Sequence, residues 1–146
     1  MPRITIVVAD AARARLYTYE PGSTQGDRAQ MVERLDLINP DERLRPGPIH
    51  DDLRDQRQHE VERRFAGEIY RALGELLDAH PCRRVLIVAP PKMMGLLRIW
   101  TGGLAARKVE LSELARDLTL ETTAQLHDHL ASLDLVPARQ RIGASP

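Results

Sequence analysis

Two short runs of the sequence are almost entirely apolar and rich in β-branched residues. The first occupies residues 3–9 and reads ITIVV in its middle, and the second, residues 84–89, reads RVLIVA. Strands that are covered on both faces have this continuous apolar pattern, whereas strands with one solvated face alternate. The two runs therefore predict inner strands of an α/β sheet that carries helices on its faces.

The region between these two runs contains further elements and one long loop. Residues 15–20 and 31–38 alternate in polarity, and the first of them ends at the turn cluster Pro21-Gly22-Ser23, so we expect an antiparallel meander. Residues Asn39 to Asp55 contain three prolines and no period, which predicts a long mobile loop. Apolar residues at helical spacing then predict a helix from Gln56 to Ala79.

The second apolar run leads into a pair of prolines. Pro91 suits the first position of a helix, because that position needs no backbone donor, and the helix is expected to carry Met94, Leu97, Trp100 and Leu104. Trp100 is expected in core or interface packing. Residues 108–111 predict a fifth strand, although residues 112–118 also fit a helix, and a last helix is expected to start near residue 121.

The predicted order of elements is βββαβαβα, which favours a mixed five-stranded sheet with flanking helices in one α/β domain, residues 1–135, followed by a flexible tail, residues 136–146. Ribonuclease-H-like nucleases and ribosomal-protein-like RNA binders share this arrangement. Nuclease chemistry needs clustered carboxylates to hold magnesium. Asp10 ends the first strand and Glu60 or Glu62 can come from the first helix, but the fourth strand ends in Ala89-Pro90. We therefore predict no metal site and expect Asp10 to accept backbone hydrogen bonds in a turn.

Charge and cysteine content narrow the class of protein. The 21 basic and 21 acidic side chains give zero formal net charge, so no global positive field attracts nucleic acid. Cys82 is the only cysteine, which excludes an internal disulfide. The first apolar run stops at Asp10 without a signal-type cleavage site, and no run is long enough to cross a bilayer. We expect a cytoplasmic chain without a membrane span or a cofactor.

Several charged residues are candidates for binding a ligand or RNA. Lys92 and Arg98, together with Arg13 and Arg15, are expected to form a small basic surface at the ends of the first and fourth strands, where open α/β sheets often bind ligands. A lysine at a helix N-terminus opposes the helix dipole, which indicates a role beyond helix stability. His59 and Glu60 are expected to open the first helix beside the loop, as a general base or as an ordinary exposed pair.

The sequence resembles one known bacterial family over nearly its whole length, from Ile4 to about Leu133. The resemblance lies in four pieces that occur in order: VVADAARARL (residues 7–16), HEVERRFA (59–66), VAPPKMMGLLR (88–98) and RDLT (116–119). These pieces resemble the host attachment protein family, named for a role in attachment to host cells. Membership implies a function in attachment, either as a direct activity or as an indirect effect.

That family in turn looks related to the middle domain of the archaeal and eukaryotic translation release factor. The resemblance implies that the loop carrying the release factor's Gly-Gly-Gln motif corresponds here to residues 45–50, RPGPIH, which contain no such motif. Peptide release by that mechanism is therefore not expected. We expect a non-enzymatic cytoplasmic interaction protein whose role in attachment is indirect and whose partner is unknown. The alternatives are an RNA- or ribosome-associated factor and a degenerate nuclease.

Overall fold

The structure, a computed structural model, describes residues 3–20, 30–40 and 51–138 of the 146-residue chain. Five strands and three α-helices make up most of this part. In chain order they are β1 (Ile4–Ala9), β2 (Arg13–Glu20), β3 (Gln30–Ile38), α1 (Asp51–Ala79), β4 (Arg84–Val88), α2 (Pro91–Thr101), a 3₁₀ helix (Gly102–Arg107), β5 (Glu110–Leu114) and α3 (Thr123–Ser132). The predicted order of strands and helices is confirmed.

The five strands form one mixed sheet in the order β3-β2-β1-β4-β5. β2 runs antiparallel to β1 and to β3, whereas β1, β4 and β5 are mutually parallel. Every residue of β1 is buried, as the continuous apolar run predicts for a central strand. This order and these directions are those of the ribonuclease-H-like fold, so the predicted fold class is confirmed.

Helices cover both faces of the sheet and create two apolar cores. One core lies beneath α1 and α2 and includes Val7 and Ile87, while the other lies beneath α3 and includes Val8 and Val88. Neighbouring residues of one strand point to opposite faces, which is why consecutive apolar residues supply both cores. The sheet therefore separates the α1/α2 face from the α3 face.

The first helix begins earlier than predicted. α1 starts at Asp51 and not at Gln56, so the last five residues of the predicted mobile loop are helical. No proline lies between Pro48 and Pro81, and nothing in that interval stops a helix. The segment compared with the release factor's loop, residues 45–50, lies outside the described residues.

The proline pair starts a helix as predicted. Pro90 is the extended N-cap residue of α2 and Pro91 is its first residue. The α-helix ends at Thr101, so Leu104 is buried in the 3₁₀ helix and not in α2 as predicted. Lys108 adopts a left-handed backbone conformation, with φ of 57°, which delays the fifth strand to Glu110. The fifth strand extends from Glu110 to Leu114, so the helical alternative over residues 112–118 is wrong.

The last helix is capped by side chains at its N-terminus and contacts the first residues of the predicted tail. Thr122 and Gln125 form a capping box, so α3 begins at Thr123. Val136 is 5% exposed, and the carbonyl oxygen of Pro137 lies 2.9 Å from His127 Nε2. The beginning of the segment predicted to be flexible therefore packs on the α3 face, and residues 139–146 lie outside the described residues.

Candidate functional site

Asp10 lies at the edge where the carboxyl ends of the three parallel strands meet. Its Oδ1 atom accepts hydrogen bonds from the backbone N–H groups of Ala12 and Arg13, each at 2.8 Å. The backbone N–H of Asp10 donates to the carbonyl oxygen of Arg13, also at 2.8 Å. A carboxylate that accepts local backbone donors stabilises a tight turn. The turn role predicted for Asp10 is therefore confirmed.

The second oxygen of Asp10 reaches a segment distant in sequence. Thr119 Oγ1 lies 2.7 Å from Asp10 Oδ2 and 2.9 Å from Asp117 Oδ1, and Thr119 is buried. A hydroxyl carries one proton, so Thr119 donates to one of the two carboxylates at a time. This contact links the turn after β1 to the segment that leads into α3. Sequence reasoning did not select Asp117 or Thr119, although both belong to the RDLT piece.

Arg15 is buried and fastens the same segment from β2. Its Nε donates to Glu33 Oε1 at 2.6 Å, and one terminal nitrogen donates to the carbonyl oxygens of Glu121 and, at 3.4 Å, Thr119. The guanidinium carbon lies 5.4 Å from the centre of the Tyr17 ring. Burial raises the pKa of Tyr17 to about 12, against the opposing effect of Arg15, so this phenol stays neutral. Arg15 therefore serves the packing of the segment before α3.

Arg13 forms an ion pair at the surface of the sheet. Its Nε lies 2.8 Å from Asp36 Oδ1, and a second nitrogen lies 2.5 Å from Asp36 Oδ2. The hydrogen bond from Arg13 holds the pKa of the Asp36 carboxyl below its usual value. Because the pair is bidentate, both donors on this side of the guanidinium are occupied.

Lys92, in the first turn of α2, forms an ion pair with Glu62 of α1. Its Nζ is 2.8 Å from Oε2 of Glu62, a buried residue of α1 whose other oxygen lies 3.2 Å from Gln58 Nε2. The alignment is that of an ion pair and not of a directed hydrogen bond. A buried carboxylate without a counter-charge is costly, so this pair outweighs the unfavourable dipole at the start of α2.

Arg98 forms a bidentate ion pair with β5. Its Nε lies 3.1 Å from both carboxylate oxygens of Glu113, and its terminal nitrogen lies 2.7 Å from Oε1. The hydrogen bond from Arg98 lowers the pKa of the Glu113 carboxyl. The pair joins α2 to the edge strand of the sheet.

The basic surface predicted from four residues is not assembled. Arg15 bonds to the segment before α3, whereas Lys92 and Arg98 belong to α2, which packs on the other face. Each of the four, including Arg13, also has a carboxylate partner. The structure thus divides the four residues between two faces of the sheet, and their role in binding a ligand or RNA stays a prediction.

His59 and Glu60 do not open a helix. α1 starts at Asp51, so the pair lies in its third turn, where both residues are exposed. An acidic side chain interacts favourably with the helix dipole only in the first turn, so Glu60 gains no such interaction at this position. Their roles in binding or catalysis stay predictions.

The fourth strand brings no carboxylate to Asp10, and the carboxylate beside it is Asp117, since Thr119 Oγ1 contacts both side chains. β4 is followed by Ala89 and Pro90, as the sequence predicts. Among the side chains that the structure describes, no three of histidine, cysteine, aspartate and glutamate come together as a group suited to hold a metal ion. Over the same part of the chain, no helix is both long and apolar enough to cross a membrane.

The sequence did not predict a second surface, the exposed apolar area around Trp100. Trp100 is 42% exposed and stacks on Tyr70, with ring centroids 6.2 Å apart, while its neighbour Ile99 is 64% exposed. Trp100 was expected in core or interface packing, and the helical period alone cannot separate a buried position from one at the border of the core. These residues form an exposed apolar area beside α1.

The fold and the site together define a class: an α/β protein of ribonuclease-H-like topology whose edge carboxylate is bonded to its own chain. Residues 5–130 match the family described as "Protein required for attachment to host cells", and the chain belongs to this family. The predicted membership is confirmed. A comparison with curated proteins gave no match. The further kinship with release factors has no support from these comparisons and stays a prediction.

Solved structures of a phosphatase family show a distant likeness. The type II variant of the Aquifex aeolicus Ppx/GppA phosphatase is 14% identical, with a TM-score of 0.43 over 78% of this chain and 36% of that chain. A second structure of the Aquifex aeolicus PPX-GPPA enzyme is also 14% identical, with a TM-score of 0.38 over 77% and 35% of the two chains. The chain spans about a third of the length of these proteins. The fold class is assigned from the strand order, and no activity is carried over.

Proposed function

We propose that the chain is a non-enzymatic interaction protein with an indirect role in attachment to host cells. Membership of the family supports the role in attachment. The observation that carries the proposal is the bonding of Asp10, the residue that occupies the catalytic position of this fold class. Both of its oxygens are used by donors of the chain itself, from Ala12, Arg13 and Thr119. The carboxylate acts as a structural link.

The indirect role means that the protein acts from the cytoplasm and affects the cell surface through a partner. The single cysteine supports this location, because a chain without disulfides has no need of an oxidising compartment. Fractionation of the bacterium with an antibody against the native protein tests the location. Finding the protein in the outer membrane or in the medium would overturn the indirect role.

Rescue of attachment tests whether Asp10 has a chemical role. A strain without the gene is complemented with wild type, Asp10→Asn or Thr119→Val, and binding to a layer of host cells is counted. Asn retains the oxygen that accepts the two backbone hydrogen bonds, but it removes the charge and replaces the acceptor of the Thr119 hydroxyl with an NH2 group. Because we assign Asp10 no chemical role, Asp10→Asn should restore attachment. Thr119→Val is the matched control, because it breaks the same link without changing a carboxylate.

The pattern of rescue separates chemistry from structure. If Asp10→Asn folds but fails to rescue while Thr119→Val succeeds, the charge of Asp10 is required and the non-enzymatic proposal fails. If both variants rescue, the link contributes to stability alone. Thermal unfolding of each purified variant identifies a loss of attachment that results from a loss of fold.

The RNA- or ribosome-associated alternative depends on basic side chains that are already paired. Lys92 binds Glu62 and Arg98 binds Glu113, so neither is free to neutralise a phosphate without breaking an ion pair. Co-sedimentation with ribosomes in a sucrose gradient, at low and high salt, tests this alternative. We do not expect the protein to co-migrate with ribosomes in a way that depends on salt and on Lys92 and Arg98. Salt-sensitive co-migration that is lost in the double variant Lys92→Ala/Arg98→Ala would favour the RNA-associated alternative.

A further inference from the structure

The exposed residues of α2 and their neighbours on α1 form one surface, which we call the Trp100 surface: Gly67, Tyr70, Ile99 and Trp100. Exposed apolar residues are common when they are scattered singly, as Ile38 and Leu120 are here. In the Trp100 surface two consecutive large residues are exposed, 64% for Ile99 and 42% for Trp100, next to a second aromatic ring. Contiguous apolar area of this kind marks sites of interaction.

Two glycines hold the aromatic rings in place. A Cβ on Gly67 would lie 3.1 Å from Trp100 Cζ2, and a Cβ on Gly103 would lie 2.5 Å from the Tyr70 hydroxyl. The rings stack at an interplanar angle of 23°. A rigid aromatic anchor loses little conformational freedom when a partner binds, which is the property of residues that dominate binding energy. The surface is therefore organised before a partner arrives.

Two arginines of α1 border this surface. Arg63 and Arg71 lie one helical turn before and after Gly67 on α1, where side chains four apart are neighbours. Both arginines are exposed, and neither forms an ion pair in the part of the chain that the structure describes. This contrasts with Arg98 and Arg107, which bind Glu113 and Asp78. Two arginines without an ion pair among the described residues thus lie beside the apolar anchor.

These features weigh against two other occupants, a second copy of the chain and a nucleic acid. A second copy placed antiparallel across Gly67 would bring Arg63 of one chain against Arg71 of the other, and like charges repel. A nucleobase binds through stacking on an aromatic face, but one face of Trp100 is taken by Tyr70, and the more exposed Ile99 is aliphatic. With zero net charge the chain also has no general attraction for nucleic acid.

We propose that the Trp100 surface binds an acidic segment of a partner protein. An apolar side chain of that segment packs on Ile99 and Trp100, and its carboxylates pair with Arg63 and Arg71. The proposal rests on the interaction role proposed above and specifies the chemistry of the partner. Because the surface is small, the complex belongs to the weak and transient class.

Selection of peptides from a library tests this chemistry even while the partner is unidentified. Short random peptides displayed on phage are selected on the full chain, and enriched sequences are synthesised. Trp100 is the only tryptophan, so its fluorescence reports binding at this surface directly. We expect enriched peptides to contain Asp or Glu around a large apolar residue and to shift the emission of Trp100.

Variants decide whether binding uses the proposed residues. The double variant Arg63→Glu/Arg71→Glu should weaken binding of the enriched peptides by about tenfold or more, because each reversal turns an attraction into a repulsion. Ile99→Ser should weaken it without a change of charge. The matched control is Arg3→Glu/Arg83→Glu, which reverses two exposed arginines at the amino ends of β1 and β4 and should bind as wild type does.

The remaining outcomes overturn the proposal. They are enrichment of basic peptides or of none, equal binding by wild type and Arg63→Glu/Arg71→Glu, or a shift of Trp100 emission produced by a random-sequence RNA pool. The same double variant is also tested for rescue of attachment. If no peptide binds as proposed but the deletion strain still needs the wild-type protein for attachment, only the proposal for the Trp100 surface is refuted. If deletion of the gene does not affect attachment, the proposed function is refuted.

Discussion

The two faces of the sheet use charged residues in opposite ways. On the α3 face, Arg15 is buried and its donors reach Glu33 and two backbone carbonyls. On the α1/α2 face, Arg63 and Arg71 are exposed beside Trp100 and have no ion pair in the described part of the chain. Arg15 holds a connecting segment on the α3 face, whereas the α1/α2 face, besides its own ion pairs, leaves two arginines and an apolar area accessible.

This difference shows that the residues of a family motif need not mark the functional surface. Asp10 and Thr119 come from two different pieces of the motif set and bond to each other, so a requirement for the fold explains both. The Trp100 surface has no comparable internal use, because exposing Ile99 and Trp100 does not help the chain to fold. The link between Asp10 and Thr119 and the proposed binding surface therefore lie in different parts of the molecule.

The largest effect is expected from Arg15. Arg15→Ala leaves Glu33 without its partner and two carbonyl oxygens without a donor, so the free energy of unfolding should fall by about 3 kcal/mol. Arg13→Ala is the matched control, because its pair with Asp36 is exposed and should cost less than about 1 kcal/mol. Urea denaturation at neutral pH measures both. Equal losses for the two variants would show that the α3 face does not depend on its buried arginine.

A smaller effect is expected from Asp10. Asp10→Ala removes the acceptor of two backbone N–H groups and of the Thr119 hydroxyl, which should cost about 1–3 kcal/mol. Asp10→Asn should cost less, because its amide oxygen still accepts the backbone hydrogen bonds. Thermal unfolding distinguishes the two. If Asn is as destabilising as Ala, the charge of Asp10 and its bond to Thr119, and not the turn, account for its contribution.

Substitutions of two glycines by alanine compare a crowded and an open position on the α1/α2 face. A Cβ added to Gly95 would meet nothing within 4 Å, so Gly95→Ala should raise the stability by about 0.5–1 kcal/mol through helix propensity. At Gly67 the added Cβ meets Trp100, so Gly67→Ala should gain less and should shift the emission of Trp100. An unchanged emission spectrum for Gly67→Ala would mean that the stacked ring is not held by the approach of α1.

The sequence predicts the sheet better than it predicts the site. The inner strands were identified because a continuous apolar run is required where a sheet is covered on both faces. The early start of α1 was missed because residues 51–55, DDLRD, lack an apolar period. The local apolar pattern predicts the strands, whereas the polar end of a helix has no such pattern.

The site was harder to predict because its contacts join distant parts of the chain. The bond between Asp10 and Thr119 spans 109 residues, and no local period reports it. The acidic partners of the basic residues were missed for the same reason, since Glu33 and Asp36 reach Arg15 and Arg13 only through the pairing of β2 with β3. Exposure of Trp100 depends on where α2 ends against α1, which is a property of packing.

The smallest effect on stability is expected from Arg98, although its effect on a single pKa should be clear. Arg98 holds the pKa of the Glu113 carboxyl below its ordinary value of 4.5. A lowered folded pKa stabilises the protein above the unfolded value, and this contribution disappears as the pH falls through the folded pKa. In Arg98→Ala the pKa of Glu113 should return toward 4.5, which NMR titration of its carboxyl carbon measures.

The exposure of this pair keeps its contribution to folding small. The Arg98 side chain is 62% exposed, so solvent and salt screen its attraction to Glu113, and stability at neutral pH should scarcely change in Arg98→Ala. A large loss would mean that the pair fastens α2 to the edge of the sheet as Arg15 fastens the segment before α3. The contrast between the buried Arg15 and an exposed arginine pair on the α1/α2 face would then be wrong.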